Sequence, residues 1–266
     1  MDRVLSFHQG RLPLLVSIPH AGLRLTPAVA RGLVASARSL PDTDWHIPRL
    51  YGFARELGAS VVAGEYSRFV IDLNRPEDDQ PLYAGATTGL YPATLFDGQP
   101  LFEAGMAPGT EERAGYLELI WRPYHEVIQR ELARLREAFG YALLWDAHSI
   151  RSHVPRLFDG ALPDFNFGTF NAASCAPELA ERLLAVCAQG SDYSHVLNGR
   201  FKGGHITRYY GDPHNRVHAV QLELAQRTYM EEAEPFGYRE ELARGTQQVL
   251  ARLLEATVEW GRQRLA

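Results

Sequence analysis

Thiols, positive charge and long apolar runs are all scarce in this chain, and each scarcity removes a class of function. Among 266 residues there are two cysteines, Cys175 and Cys187, and no Cys-x-x-Cys spacing. A thiolate zinc site and a disulfide scaffold are thereby excluded, and two buried, reduced thiols in a reducing compartment are expected. The formal net charge is −5, with 27 Lys and Arg against 32 Asp and Glu. A binder of nucleic acid or of an anionic membrane would carry a basic excess or stripe, so neither partner is expected. An anionic substrate must then be met by a few placed arginines. Nowhere do about 18 apolar residues run together, and Met1 to Gly10 contains no apolar stretch of the secretory kind, which makes a cytoplasmic location the expectation. No glycine spacing fits a phosphate loop, which removes the nucleotide-binding reading. Internal repeats, low-complexity tracts and linkers are missing too, so residues 1–266 read as a single domain. Its composition, 45% apolar and 22% charged, suits a sizeable core.

What the chain does contain is a series of short apolar runs that stop at polar clusters. Phe69 to Ile71 reads as a strand that empties into Asp72, Asn74, Arg75 and Pro76. Leu14 to Ile18 leads to Pro19-His20-Ala21-Gly22, and Tyr141 to Trp145 leads to Asp146-Ala147-His148-Ser149. Val217 to Leu224 is a β-compatible run with one acid, Glu223, inside it. Ala59 to Ala63 is another β-like run. Helical spacing marks Pro27 to Ala37, Trp45 to Leu57 closed by Gly58, Glu111 to Ala138 with a break near Pro123, Pro177 to Ala188, and about Arg239 to Leu265. Three stretches read as loops: Glu77 to Gly109, long enough to suggest a functional loop or lid, Ser152 to Ala173, and the Gly-rich Asn198 to Asp212. Strands alternating with helices predict an α/β fold of three layers, αβα, around a mixed, mainly parallel sheet. Such sheets place their chemistry at strand ends.

The residues gathered at those ends can serve a metal and an anion. A lone His at a strand end is commonly structural, but His20 and His148 come from two strands with the same pattern, each with carboxylates nearby. A His/His/carboxylate set with an open fourth position is what a hydrolytic zinc site needs. For the carboxylate, Asp44 competes with Asp42, Glu65, Asp72 and Asp146; Asp44 sits where it could instead cap the helix expected from Trp45. Asp146, two residues before His148, shares its face of a regular strand and is placed to orient the imidazole. Burial of Glu223 in its apolar run would raise its pKa into the range of a general base and acid. Arg68, Asn74, Arg75 and Arg208 can grip carboxylates, for which the guanidinium fork is shaped. The Gly203-Gly204 pair with Thr207 and Arg208 suits a backbone nest or a lip over a ligand.

Several segments together resemble a known family. Ile18-Pro19-His20-Ala21-Gly22, Asp42-Thr43-Asp44-Trp45-His46, Ser67 to Pro76, Trp121-Arg122-Pro123-Tyr124-His125, Asp146-Ala147-His148-Ser149 and Gly203-Gly204 to Arg208 resemble N-formylglutamate amidohydrolase, in order, from about residue 11 to 230. The resemblance implies a zinc-carboxypeptidase-like fold and hydrolysis of N-formyl-L-glutamate to formate and L-glutamate, in histidine breakdown. The wider zinc-carboxypeptidase and aspartoacylase group pairs its first His with a Glu three residues on, whereas this chain has Leu23 there. Asp44 is therefore assigned as the carboxylate ligand beside His20 and His148, because its segment matches the family pattern. Asp72-Leu73-Asn74-Arg75 is similar to that group's substrate-binding element, and Glu223 falls where the group carries its catalytic Glu. A His/His/carboxylate set accepts Zn²⁺ and also cobalt, manganese or iron. Two other readings share parts of the pattern: a related zinc amidohydrolase for another N-acyl amino acid or small peptide, and a metal-free binding protein for an acidic metabolite. Oligomeric state is left open, since an apolar helix face reads the same against a core or a partner.

Overall fold

The computed structural model describes residues 3–82, 88–189 and 192–265. Among them, seven strands form one sheet: β1 (Leu5–His8), β2 (Leu14–Ile18), β3 (Ser60–Gly64), β4 (Ala142–Ile150), β5 (Phe165–Gly168), β6 (His195–Leu197) and β7 (Val217–Ala225), in the order β1-β3-β2-β4-β7-β5-β6. The four strands β3, β2, β4 and β7 run parallel to their neighbours, as β5 does to β6, while β5 is antiparallel to β7 and β1 to β3. The sheet is thus mixed and mainly parallel, as the alternation of strands and helices predicts.

Helices cover both faces. On one side lie α2 (Ile47–Leu50), α3 (Phe53–Leu57), α6 (Pro177–Ala188) and α8 (Glu240–Arg264), packed on Leu14, Val16, Trp145, Val220 and Leu222. On the other lie α1 (Pro27–Gly32), α4 (Thr110–Tyr116), α5 (Arg122–Phe139) and α7 (His205–Tyr210), packed on Leu15, Val62, Leu144 and Ala219. Two apolar cores with a sheet between them make three layers. In β4 and β7 all nine residues are buried, which is why both read as nearly continuous apolar runs.

Local chemistry corrects several sequence expectations. Phe69 to Ile71 is not a strand but a buried turn: Ser67 Oγ accepts from Phe69 N, Val70 N bonds Ser67 O, and Asp72 Oδ1 accepts from Asn74 N. Side-chain oxygens that bond their own backbone offer it an alternative to a ladder. The helix expected from Trp45 is two short ones: the left-handed His46 (φ 62°) delays the start to Ile47, and the backbone leaves the helical region at Tyr51 (φ −91°, ψ 14°), between α2 and α3. The long helix around Pro123 carries one wide turn at Leu117–Trp121, which accommodates the missing proline N–H. β5 and α7 fall in stretches expected to be loops, and β1 lies in an N-terminal stretch for which no element is expected. Of the long loop from Glu77 to Gly109, residues 83–87 lie outside the described residues, and the remainder contains neither helix nor named strand.

Candidate active site

β2 is flanked by β3 on one side and β4 on the other, so the direction of strand ordering reverses there, and a crevice opens beyond the carboxyl ends of β2 and β4. His20 lies just past β2. His148 and Asp146 sit within β4, which runs on to Ile150 rather than ending at Trp145. In the β4–β7 register Asp146 stands beside Gln221 and His148 beside Glu223. Both pairs have the parity of Leu144 and Ala219, so four polar side chains occupy the α5 and α7 side of the sheet where the apolar residues stop.

Ligand atoms of His20, Asp44 and His148 all lie within 4.8 Å of one another, and all three residues are buried. His148 Nδ1 is 3.0 Å from Asp44 Oδ2, and His20 Nδ1 is 3.8 Å from the same oxygen. The far nitrogens are engaged elsewhere: His20 Nε2 is 2.7 Å from Asp72 Oδ1, and His148 Nε2 is 3.2 Å from Asp146 Oδ1 and 2.9 Å from Asn74 Nδ2. At His20 the carboxylate on Nε2 fixes the tautomer that leaves Nδ1 as the lone pair; at His148 the Asn74 amide donor shares Nε2 with the carboxylate. His20 Nδ1 is buried and makes no hydrogen bond among the described residues. An orphaned ring nitrogen aimed at a carboxylate and a second ring nitrogen is a donor set that a divalent metal fits, and these three residues can hold one. Of the other carboxylate candidates, Glu65 lines a separate cavity and the remaining three are occupied. Asp42 accepts from Phe96 N and from Arg151, Asp72 bonds His20 and Arg68, and Asp146 accepts from Asn74 and Thr207. Asp44 is not the helix cap; its N–H donates to His20 O and its carboxylate is turned into the crevice, where Ser149 N also donates to it.

Charge and burial act in opposite directions on these groups: for His148 burial is outweighed by Asp146 and Asp44, which raise it well above its ordinary value in the absence of a cation. Burial would raise Asp72, but His20, Arg68 and Arg75 outweigh it and hold the carboxyl well below its ordinary value. For Asp44, likewise, burial is outweighed by the His148 hydrogen bond and by the charges of His20, His148 and Arg68. Burial, with Arg68, lowers His20 despite Asp72 and Asp44, which favours the neutral imidazole that binds metals. Glu223 is pushed up to about 8, chiefly by burial. Its Oε2 accepts from Gln221 Nε2 at 3.0 Å, while Gln221 Oε1 accepts from Gly204 N at 2.6 Å.

A cavity beside these groups is lined by His20, His148, Glu223, Gln221, Arg68, Asn74, Arg75 and Arg200, with Phe96, Ile150, Leu157 and Phe201 as its apolar wall. Arg68 stacks over Phe96 (4.8 Å), donates to Asp72 Oδ2 at 2.7 Å and stands 3.7 Å from Asp44 Oδ1. The Arg75 fork is set by Thr88 O, Thr88 Oγ1 and Asn74 O. Asn74 lines the cavity while bracing it: Nδ2 donates to Asp146 and Oδ1 accepts from Ile206 N. The Trp121 to His125 segment supports this turn from behind, with Trp121 Nε1 donating to Arg75 O and His125 Nε2 donating to Leu73 O. Arg208 does not line the cavity. It bonds Gly203 O and Leu82 O and lies over Phe170, fastening the Gly203 loop instead. Sequence reasoning missed Gln221 and Arg200. Strand alternation with Glu223 pointed to the first; nothing in a polar, aperiodic segment pointed to the second.

Gly204 is where this packing is least forgiving. A Cβ there would lie 2.4 Å from Asn74 Nδ2 and 2.6 Å from Asn74 Cγ. Since the Asn74 amide is held at both ends, it cannot yield cheaply. Gly204→Ala is expected to lose about 1–3 kcal/mol of stability and to lower activity by displacing Asn74 from His148. Thermal unfolding and turnover check both, and a variant with wild-type values for each would show that the close approach is not needed.

A sequence profile of the family N-formylglutamate amidohydrolase matches residues 12–230. N-formylglutamate deformylase of Pseudomonas putida is 76% identical over 264 residues, covering 99% of each chain. The protein of the same name from Pseudomonas aeruginosa is 68% identical over 266 residues, covering 100% of both. Among solved structures, an N-formylglutamate amidohydrolase from Ralstonia eutropha superimposes with a TM-score of 0.84 at 21% identity, over 98% of this chain and 99% of that one. A gene product of Agrobacterium tumefaciens follows with a TM-score of 0.74 at 17% identity, over 97% and 94%. At those identities the structural likeness speaks for the fold alone.

Proposed function

The chain belongs to the N-formylglutamate amidohydrolase family, and from that premise we propose that it hydrolyses N-formyl-L-glutamate to formate and L-glutamate at this cavity, with zinc held by His20, Asp44 and His148. The observation that carries the reading is the convergence of those three ligand atoms beside a buried Glu223, in a cavity that also presents arginines. A divalent metal bound there supplies Lewis-acid polarisation of the formyl oxygen and lowers the pKa of water to about 7.

The remaining work falls to the side chains. Glu223 takes a proton from the attacking water and returns it to the amide nitrogen as the C–N bond breaks, so that formate leaves and the amine of glutamate is released. A carboxyl pushed up to about 8 exchanges protons near neutral pH, and the Gln221 amide fixes which oxygen is presented. Arg68, anchored by Asp72, places positive charge where the formyl oxygen becomes an oxyanion. Arg75 takes the carboxylate next to the scissile nitrogen, on the wall that Asn74 braces. Asp72 and Asp146 orient the two imidazoles. No helix among the described residues is long and apolar enough to cross a membrane, and we place the enzyme in the cytoplasm, working as one domain in histidine degradation.

Metal content per chain and formate release from N-formyl-L-glutamate, before and after chelation, test the proposal. About one zinc per chain, with formate release lost on chelation and restored by zinc, is expected. Metal without formate release, together with release of acetate from N-acetyl amino acids, would move the substrate to another N-acyl amino acid. Protein that takes up no metal when zinc is supplied would overturn the centre itself.

A further inference from the structure

The proposed substrate carries two carboxylates separated by a short apolar chain, and the cavity repeats that layout on its walls. This step rests on the N-formylglutamate reading above. Three arginines line the cavity, Arg68, Arg75 and Arg200. Arg68 is held at the metal cluster, where Asp72 and Asp44 flank its guanidinium, and its charge is assigned above to the formyl oxygen. Arg75 belongs to the turn that touches His148 through Asn74, so it stands on the reacting side. The α-carboxylate, one carbon from the scissile nitrogen, belongs on that side.

Arg200 arrives from a different part of the chain. It follows β6, its Nε donates to Leu157 O at 2.6 Å, and the neighbouring Phe201 ring lies 5.5 Å from its guanidinium carbon. The hydrogen bond to Leu157 O helps to fix the plane of this guanidinium. Leu157 and Phe201 pack on a small apolar cluster of Phe96, Ile150, Val154 and Leu162, separate from the two main cores. Phe96, Ile150, Leu157 and Phe201 from this cluster face the cavity, so an apolar wall stands in it together with Arg200.

We propose that Arg200 binds the side-chain carboxylate of the substrate, with its two methylenes against Phe96, Ile150, Leu157 and Phe201, and thereby sets the preference for glutamate over uncharged residues. A site that pairs a substrate's charge rejects the isostere lacking it far better than an apolar pocket distinguishes sizes. N-formyl-L-glutamine, the same shape without the charge, is therefore the discriminating substrate.

The experiment compares kcat/KM for N-formyl-L-glutamate and N-formyl-L-glutamine in wild type, Arg200→Met and Arg200→Lys, with bound metal measured for each. In wild type the charged substrate is expected to be preferred. In Arg200→Met that preference falls by about 10²-fold, mostly through KM, and Arg200→Lys, which keeps the charge but not the fork, falls between. A preference within threefold of wild type in Arg200→Met, or an equal loss on both substrates, overturns the assignment while leaving the deformylase reading intact. Wild-type protein that releases no formate from either substrate sinks that reading, and this one with it.

Discussion

Glu223→Gln is expected to lower kcat by about 10²- to 10⁴-fold while bound metal and substrate affinity stay near wild type. The replacement is close to isosteric, so the wall formed with His148 and Gln221 keeps its shape. What disappears is, among the described residues lining the cavity, the only carboxylate placed to accept and return a proton. Asp44 and Asp72 are held low by the cations around them, whereas burial pushes Glu223 up to about 8. Groups whose environments drive their proton affinities apart divide the labour of acid, base and ligand. Single-turnover kinetics separate the chemical step from product release, and metal analysis accompanies them. Turnover within a few-fold of wild type would remove Glu223 from the reaction; loss of metal along with activity would make it a ligand instead.

The parts of this site that lie on regular strands were legible in the sequence, and those set by turns were legible only in part. Asp146 and His148 two apart, like Gln221 and Glu223, carry the alternation of a strand, and their lateral pairing follows once β4 and β7 are neighbours. That neighbour relation is a long-range fact that no local pattern contains. Phe69 to Ile71 shows the opposite case. An apolar triplet followed by polar residues has the signature of a strand end, yet Ser67 and Asp72 bond the local backbone and wind it into a turn whose side chains are still buried. Periodicity reports burial, and burial does not require a ladder. Asp44 was misplaced on a helix start for a similar reason, since the left-handed His46 cannot be foreseen from composition. Arg200 and Arg208 are eight positions apart in a segment without period. Only the fold separates the one that lines the cavity from the one that fastens a loop.

Asp44→Asn carries the other large expected effect, loss of bound metal to well below one per chain and a fall in activity of about 10³-fold or more at limiting zinc. The amide preserves volume and can still accept from Ser149 N, so the turn that donates Asp44 N to His20 O is kept. What goes is the negative charge between two ring nitrogens. Asp42→Asn is the matched control: Asp42 is equally buried, but its oxygens face Phe96 N and Arg151 rather than the imidazoles, and burial raises its pKa against the pull of those partners. It is expected to cost stability and to keep its metal. Stability gives a second readout that does not depend on turnover. Zinc bound only by the native state raises the unfolding free energy by about 2.7 kcal/mol at a hundredfold excess over Kd, so added zinc should raise the melting temperature of wild type and Asp42→Asn and leave Asp44→Asn almost where it was. If Asp44→Asn retains stoichiometric zinc, and Asp42→Asn loses it, the carboxylate assignment is reversed. The structure then has to accommodate a ligand that faces away from both histidines, which the 3.0 Å approach of His148 to Asp44 makes hard to build.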